Sequence, residues 1–128
     1  MKKHKVVAKM KDGTVKKGKT DNFAPHRPFF HMEFDDGTKE DVELESLEAL
    51  FFVKDFQGKK DYKERYRTVP RWSGTKLRVE FADGESIIGY ALEYDADKSG
   101  FFLTPADIKG NNERVYIVAS STKNVIYL

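Results

Sequence analysis

A chain of 128 residues, 39% hydrophobic and 34% charged, is apolar enough to fold and short enough to form one compact body. It has no cysteine, which excludes disulfides, thiolate metal sites and thiol catalysis, and no run nears the ~20 apolar residues of a membrane span. The net charge of +2 conceals opposed blocks: eight lysines against Asp12 in residues 1–19, and eight acids against Lys39 in residues 33–48.

In chain order, the first element is an alternation of Val6, Ala8 and Met10, period two, as in a half-buried strand. Asp12-Gly13 comes next as a hairpin turn, because both residues tolerate the positive φ of a tight connection. A second strand runs through Lys16, Lys17 and Gly18, a third through Phe29-Phe30. Asp35-Asp36-Gly37 makes a turn into a fourth strand through Glu40, Val42 and Leu44. Ser46 stands where a hydroxyl could cap a single helical turn before a final apolar strand, Leu50–Val53. Residues 54–75 form a linker too long to lack structure. Within it Asp61–Tyr66 reads as a short helix ended by Pro70, with Trp72 anchoring the linker on the second half of the chain. The first pattern then returns: Leu77, Val79 and Phe81; Asp83-Gly84; Gly89; Phe101-Phe102; a turn at Gly110-Asn111-Asn112; Ser121; and the terminal strand Val125–Leu128.

The two series match in order, which chance does not supply. Asp12-Gly13 meets Asp83-Gly84 at a shift of 71, and Phe29-Phe30 meets Phe101-Phe102 at 72. Gly37, Glu40, Val42 and Leu44 meet Gly110, Glu113, Val115 and Ile117 at 73, and Ser46 and Leu50–Val53 meet Ser121 and Val125–Leu128 at 75. The expected fold is all-β with a short helical linker: two five-stranded small barrels, residues 1–53 and 76–128, packed together. A unit of this size buries only about 60% of its unfolded surface, so each needs the other. Closing the sheets would also remove exposed strand edges.

The segment LRVEFADGESIIGYALEYD places Gly89, Tyr94 and Asp95 as in the first motif of Sm-like barrels; the first copy keeps Gly18 and Phe23 but has Ala24 in place of the acid. The chain thus resembles tandem Sm-like, SH3-like small barrels. LEALFFVKDF and GFFLTPADIKGNNERVYIV are similar to an uncharacterised bacterial family of such barrels. The resemblance implies the fold more than an activity. The base-reading pair of Sm-type RNA binding is replaced by Arg27-Pro28 and Lys98-Ser99, and the later Arg-Gly by Ser120-Ser121-Thr122.

Candidate sites emerge from surface chemistry. Lys5, Lys9 and Lys11 project opposite Val6, Ala8 and Met10, with Lys17 and Lys19 on the paired strand. That stripe could bind nucleic-acid phosphates without sequence preference, or be a face partnered by the acidic block. Arg67 and Arg71, with Asp97-Lys98-Ser99 downstream, resemble the arginine pair and D/N-x-S-x-x-G strand of PilZ cyclic-dinucleotide receptors, although Phe102 replaces the last glycine. Each phenylalanine pair puts its members on opposite faces, so one of each needs a partner outside its own core. Phe52, Phe56, Tyr62, Tyr66 and Trp72 could supply a docking patch with Arg67 and Arg71. His4, His26 and His31 are scattered, and no nucleophile elbow or phosphate loop is present, so no catalytic residue, metal or cofactor is expected. The sequence therefore reads as a non-enzymatic adaptor or regulatory module, cytoplasmic and without a membrane, binding another protein. The alternatives are nucleic-acid binding by the lysine stripe and cyclic-dinucleotide sensing, and an oligomer is compatible with each.

Overall fold

The computed structural model describes residues 3–54, 74–92, 94, 98–106 and 112–128. The chain is all-β. Ten strands, β1 (His4–Met10), β2 (Val15–Thr20), β3 (Phe29–Glu33), β4 (Lys39–Glu43), β5 (Leu47–Val53), β6 (Thr75–Phe81), β7 (Ser86–Ala91), β8 (Gly100–Pro105), β9 (Asn112–Val118) and β10 (Thr122–Tyr127), form one antiparallel sheet. Its order is β10-β6-β7-β8-β9-β5-β1-β2-β3-β4. The turns arise as their residues require: Gly13, Gly37 and Gly84 adopt φ of 90°, 85° and 91°, where only glycine is free of Cβ strain. Single 3-10 turns, Leu44–Ser46 and Ala119–Ser121, precede β5 and β10.

The halves use the same registers. Val6 pairs with Gly18 and with Phe52; 71 residues on, Leu77 pairs with Gly89 and with Tyr127. Even the irregularity recurs, at Lys9/Met10 in one ladder and Thr122/Asn124 in the other. Phe30 pairs with Val42 and Phe101 with Ile117, while Leu44 N–H donates to Pro28 O and Ala119 N–H to Ser99 O. These correspondences correct the expected shifts of 72 and 73. The shift is 71 through β3 and 75 from β4 onward, so Phe30 matches Phe101 and Val42 matches Ile117. Alternation is the physical reason, since a one-residue slip would turn every side chain to the wrong face. The four additional residues lengthen the end of β8, the start of β9 and the segment between them.

Two apolar clusters flank the sheet. One contains Val6, Ala8, Phe30, Met32, Val42, Leu47, Leu50 and Phe52, joined by Tyr116 and Val118; the other contains Leu77, Val79, Phe81, Ile87, Phe101, Leu103, Val115 and Ile117, joined by Ala49. Consecutive residues of β5 and β9 thus serve opposite clusters, and both strands are covered on two faces. Phe52 enters the first cluster and Phe51 packs on the second; Phe101 enters the second and Phe102 packs on the first. Phe30 is buried, whereas Phe29 is 46% exposed.

Two closed five-stranded barrels were the expectation; the hydrogen-bonded sheet is instead continuous and open. β5 pairs with β9, Ala49 opposite Ile117 through Phe52 opposite Arg114, so the ladder passes from one half into the other and leaves β4 and β10 as edges among the described residues. The expected helix at Asp61–Tyr66 lies outside the described residues. Ser46 and Ser121 end their helical turns rather than start them, and neither caps an N-terminus. The buried Ser121 hydroxyl instead has two carbonyls in reach, Val118 O at 2.7 Å and Glu48 O at 2.9 Å, the second in the other half.

Candidate functional site

The lysines of β1 and β2 divide into different environments. Lys9 is not a free cation: its ammonium lies 2.8 Å from Asp83 Oδ2 and 3.0 Å from Glu48 Oε2 and also bonds Glu85, joining β1 and β5 to the β6–β7 turn. Glu48 Oε2 is buried and meets Lys9 off hydrogen-bonding geometry, so that contact is ionic. Burial lowers the Lys9 pKa, but the contacts with Asp83, Glu85 and Glu48 outweigh it and hold the group above the ordinary lysine value. Burial raises Glu48 more than Lys9 lowers it. The hydrogen bond from Lys9, with that from the Glu85 N–H, pulls Asp83 down to about 2. Lys16 bonds Glu40, and Lys3 lies 2.8 Å from Glu33, so part of the basic block meets the acidic block as its charge pattern suggests. Lys11 donates to Ser120 Oγ at 2.6 Å. Lys5, Lys17 and Lys19 remain exposed together on the outer face, Lys5 opposite Lys19 and Lys17 opposite Val7.

Two concave regions lie where the halves meet. The larger, about 950 Å³, is a groove walled by the β2–β3 segment Pro25–Phe29 and the turn at Glu43–Glu45 on one side, and by Ser99, Tyr116 and Val118–Ser120 on the other. Its floor is apolar, made by Leu44, Tyr116 and Val118, and its rim bears Lys11 and Arg27 against Glu43 and Glu45. The Tyr116 ring can pack on Gly100 because that residue has no side chain; a Cβ there would stand 2.5 Å from the ring's Cζ. Burial raises the Tyr116 pKa above the ordinary phenol value, and a bond to Ser99 opposes it. The smaller groove, about 460 Å³, gathers Lys3, Lys5, Lys54 and Arg114 with Glu113 as its one acid among the described residues. The Arg114 guanidinium sits 4.3 Å from the Phe52 ring centre and 5.0 Å from that of Phe102.

Of the residues singled out from sequence, Lys5 reaches this basic groove, whereas Lys9, Lys11, Lys17 and Lys19 do not line it. Phe52 is 4% exposed, packs in the core and lines the smaller groove beneath Arg114. Phe56, Tyr62, Tyr66, Arg67, Arg71 and Trp72 lie outside the described residues. Sequence reasoning missed Phe29, Tyr116 and Arg114 as groove residues. Only the unbalanced Phe29-Phe30 pair carried a signal, because one member had to leave the core. Among the described residues no three His, Asp or Glu side chains converge as metal ligands, and no helix is long and apolar enough to cross a membrane.

No curated protein and no solved structure matches the chain. One family model does, over residues 2–128, and the chain therefore belongs to DUF6982, a family of unknown function.

Proposed function

We propose that this protein is a non-enzymatic adaptor built from two Sm-like halves by internal duplication, and that it binds an extended segment of another protein in the groove between them. The observation that carries this reading is the groove's chemistry. An apolar floor of Leu44, Tyr116 and Val118, an exposed Phe29 at the rim and charges of both signs suit a peptide, which offers apolar side chains and polar backbone together. A nucleic acid would favour a rim of one sign. Selection from a random peptide library should yield sequences retained by the unmodified chain and weakened at least about tenfold by Phe29→Asp, a residue whose exposure spares the core. Failure to select any peptide, or equal binding by the variant, would remove the reading.

A second reading rests on the smaller groove, whose described lining carries Lys3, Lys5, Lys54 and Arg114 beside Glu113. There a phosphate backbone is the fitting ligand. Titration with single-stranded RNA and DNA at two salt concentrations tests it. Binding that weakens with salt and is reduced by Lys5→Glu supports it, and no binding at low salt dismisses it.

A further inference from the structure

We propose that copies of this chain join head to tail, the β10 edge of one copy pairing antiparallel with the β4 edge of the next in the register that β5 and β9 use within the chain. The inference is independent of what the grooves bind. By the shared registers, β10 is the counterpart of β5 and β4 the counterpart of β9. β5 and β9 pair with each other, while β4 and β10 end the sheet among the described residues. The chain therefore contains one worked example of the junction and the two complementary halves of a second.

The edges fit that geometry. Leu128 N–H donates to Lys76 O, so by strand alternation the N–H groups of Tyr127 and Val125 point away from β6 to the open side. Leu44 N–H donates to Pro28 O, so Lys39, Asp41 and Glu43 point away from β3. Placing Phe52 opposite Arg114 and Leu50 opposite Tyr116, as observed, translates to Tyr127 opposite Lys39 and Val125 opposite Asp41. All four have outward backbone groups.

Side chains agree. Phe52 and Val53 are 4% and 6% exposed beneath β9, but their counterparts Tyr127 and Leu128 are 64% and 54% exposed. The Arg114 cation over the Phe52 ring becomes Lys39 over Tyr127. The contact of Phe23 with Tyr116, centroids 5.2 Å apart, becomes Tyr94 with Asp41, a phenol donor facing a carboxylate. The second half already holds Tyr94 against Tyr127 and Phe101 as the first holds Phe23 against Phe52 and Phe30. The junction is apolar within the chain and polar between chains, as suits subunits that are also soluble alone. Antiparallel pairing of β4 with its own copy, centred on the outward Asp41, would instead set that carboxylate against itself, a like-charge contact. A head-to-tail contact propagates until it closes into a ring or continues as a fibre.

The absence of cysteine allows a clean test. Lys39→Cys and Tyr127→Cys variants, mixed and oxidised, should give disulfide-linked pairs, because opposed strand residues lie within disulfide reach. Each variant oxidised alone should stay unlinked. Self-linking by either variant to the same extent, or no linking in the mixture, would overturn the proposal. Light scattering should give the unmodified chain a mass above that of one copy, and Asp41→Pro or Tyr127→Pro, which each remove an outward N–H, should give single copies. An equimolar mixture of the two proline variants should form one-to-one pairs through their intact edges. A single-copy mass for the unmodified chain at its highest concentration, or assembly of both proline variants, would also overturn it. If a proline variant proves unfolded by amide spectra, the disulfide arm decides.

Discussion

Glu40 of β4 and Val115 of β9 occupy equivalent places, and so do Lys16 of β2 and Ile87 of β7. In the first half these positions form an ion pair, with Lys16 and Glu40 side chains 27% and 43% exposed. In the second, Ile87 and Val115 are buried in the apolar cluster. The same register accepts either solution because the surroundings differ. β9 is covered by β5, so a charge there would lack water, whereas β4 ends the sheet and keeps it. Both halves thus share the ladder and the inward glycine, while their side chains follow burial.

The largest expected effect probes where the halves are most alike. A Cβ on Gly89 would lie 2.7 Å from Leu103 Cγ and closer still to Thr104 O; on Gly18 it would meet Glu33 O at 2.8 Å and the flexible Met32 Cε at 3.2 Å. Gly89→Ala should cost about 3 kcal/mol and Gly18→Ala about 1–2 kcal/mol in urea unfolding, since a methionine end yields where branched leucine does not. Equal costs would mean that the second half is no tighter than the first.

Next in size is the Lys9 cluster, for which the second half has no copy: Glu80 stands at the equivalent place and accepts from Asn124 at 3.2 Å. Lys9→Met leaves Glu48 buried without its cation and should cost about 2 kcal/mol, below the full buried-pair penalty because the site is partly solvated; adding Glu48→Leu should restore most of it. Asp83 also predicts acid behaviour. Its folded pKa of about 2 lies below the ordinary 3.8, so its contribution is complete above that value and lost as pH falls toward 2. Removing Lys9 should flatten that acid limb, measured as thermal midpoint against pH. The smallest effect falls on the Lys16–Glu40 ion pair. The double change Lys16→Ile with Glu40→Val, which installs the second half's solution at the open edge, should alter stability by less than about 1 kcal/mol. A larger loss would show that this ion pair holds the edge.

Much of the fold was legible because its signals are local. Alternation in β1 and β6, the Asp-Gly turns and the helical turns before β5 and β10 each arise from a few adjacent residues. The match of Phe29-Phe30 to Phe101-Phe102 misled because two similar pairs conceal which member faces inward, and only the partner strand decides that. The pairing of β5 with β9 has no local signature. It joins residues such as Ala49 and Ile117 that are far apart in the chain, and nothing in LEALFFV separates a strand ending a barrel from one joining two halves. The lysine stripe was visible as charge, but its partners come from elsewhere: the acids that hold Lys9 include Asp83 and Glu85 on a distant turn. The grooves were least legible, since each is walled by both halves.

The joint between β5 and β9 also bears on biosynthesis. Chains are made from the N-terminus, so β5 is complete while β9 is still unmade. During that interval an unpaired strand edge and Phe51 stand ready to pair with any nascent neighbour, the condition under which short apolar strands aggregate. The acids that precede this strand in sequence, from Glu33 to Glu45, can repel such encounters until the second half arrives to cover it.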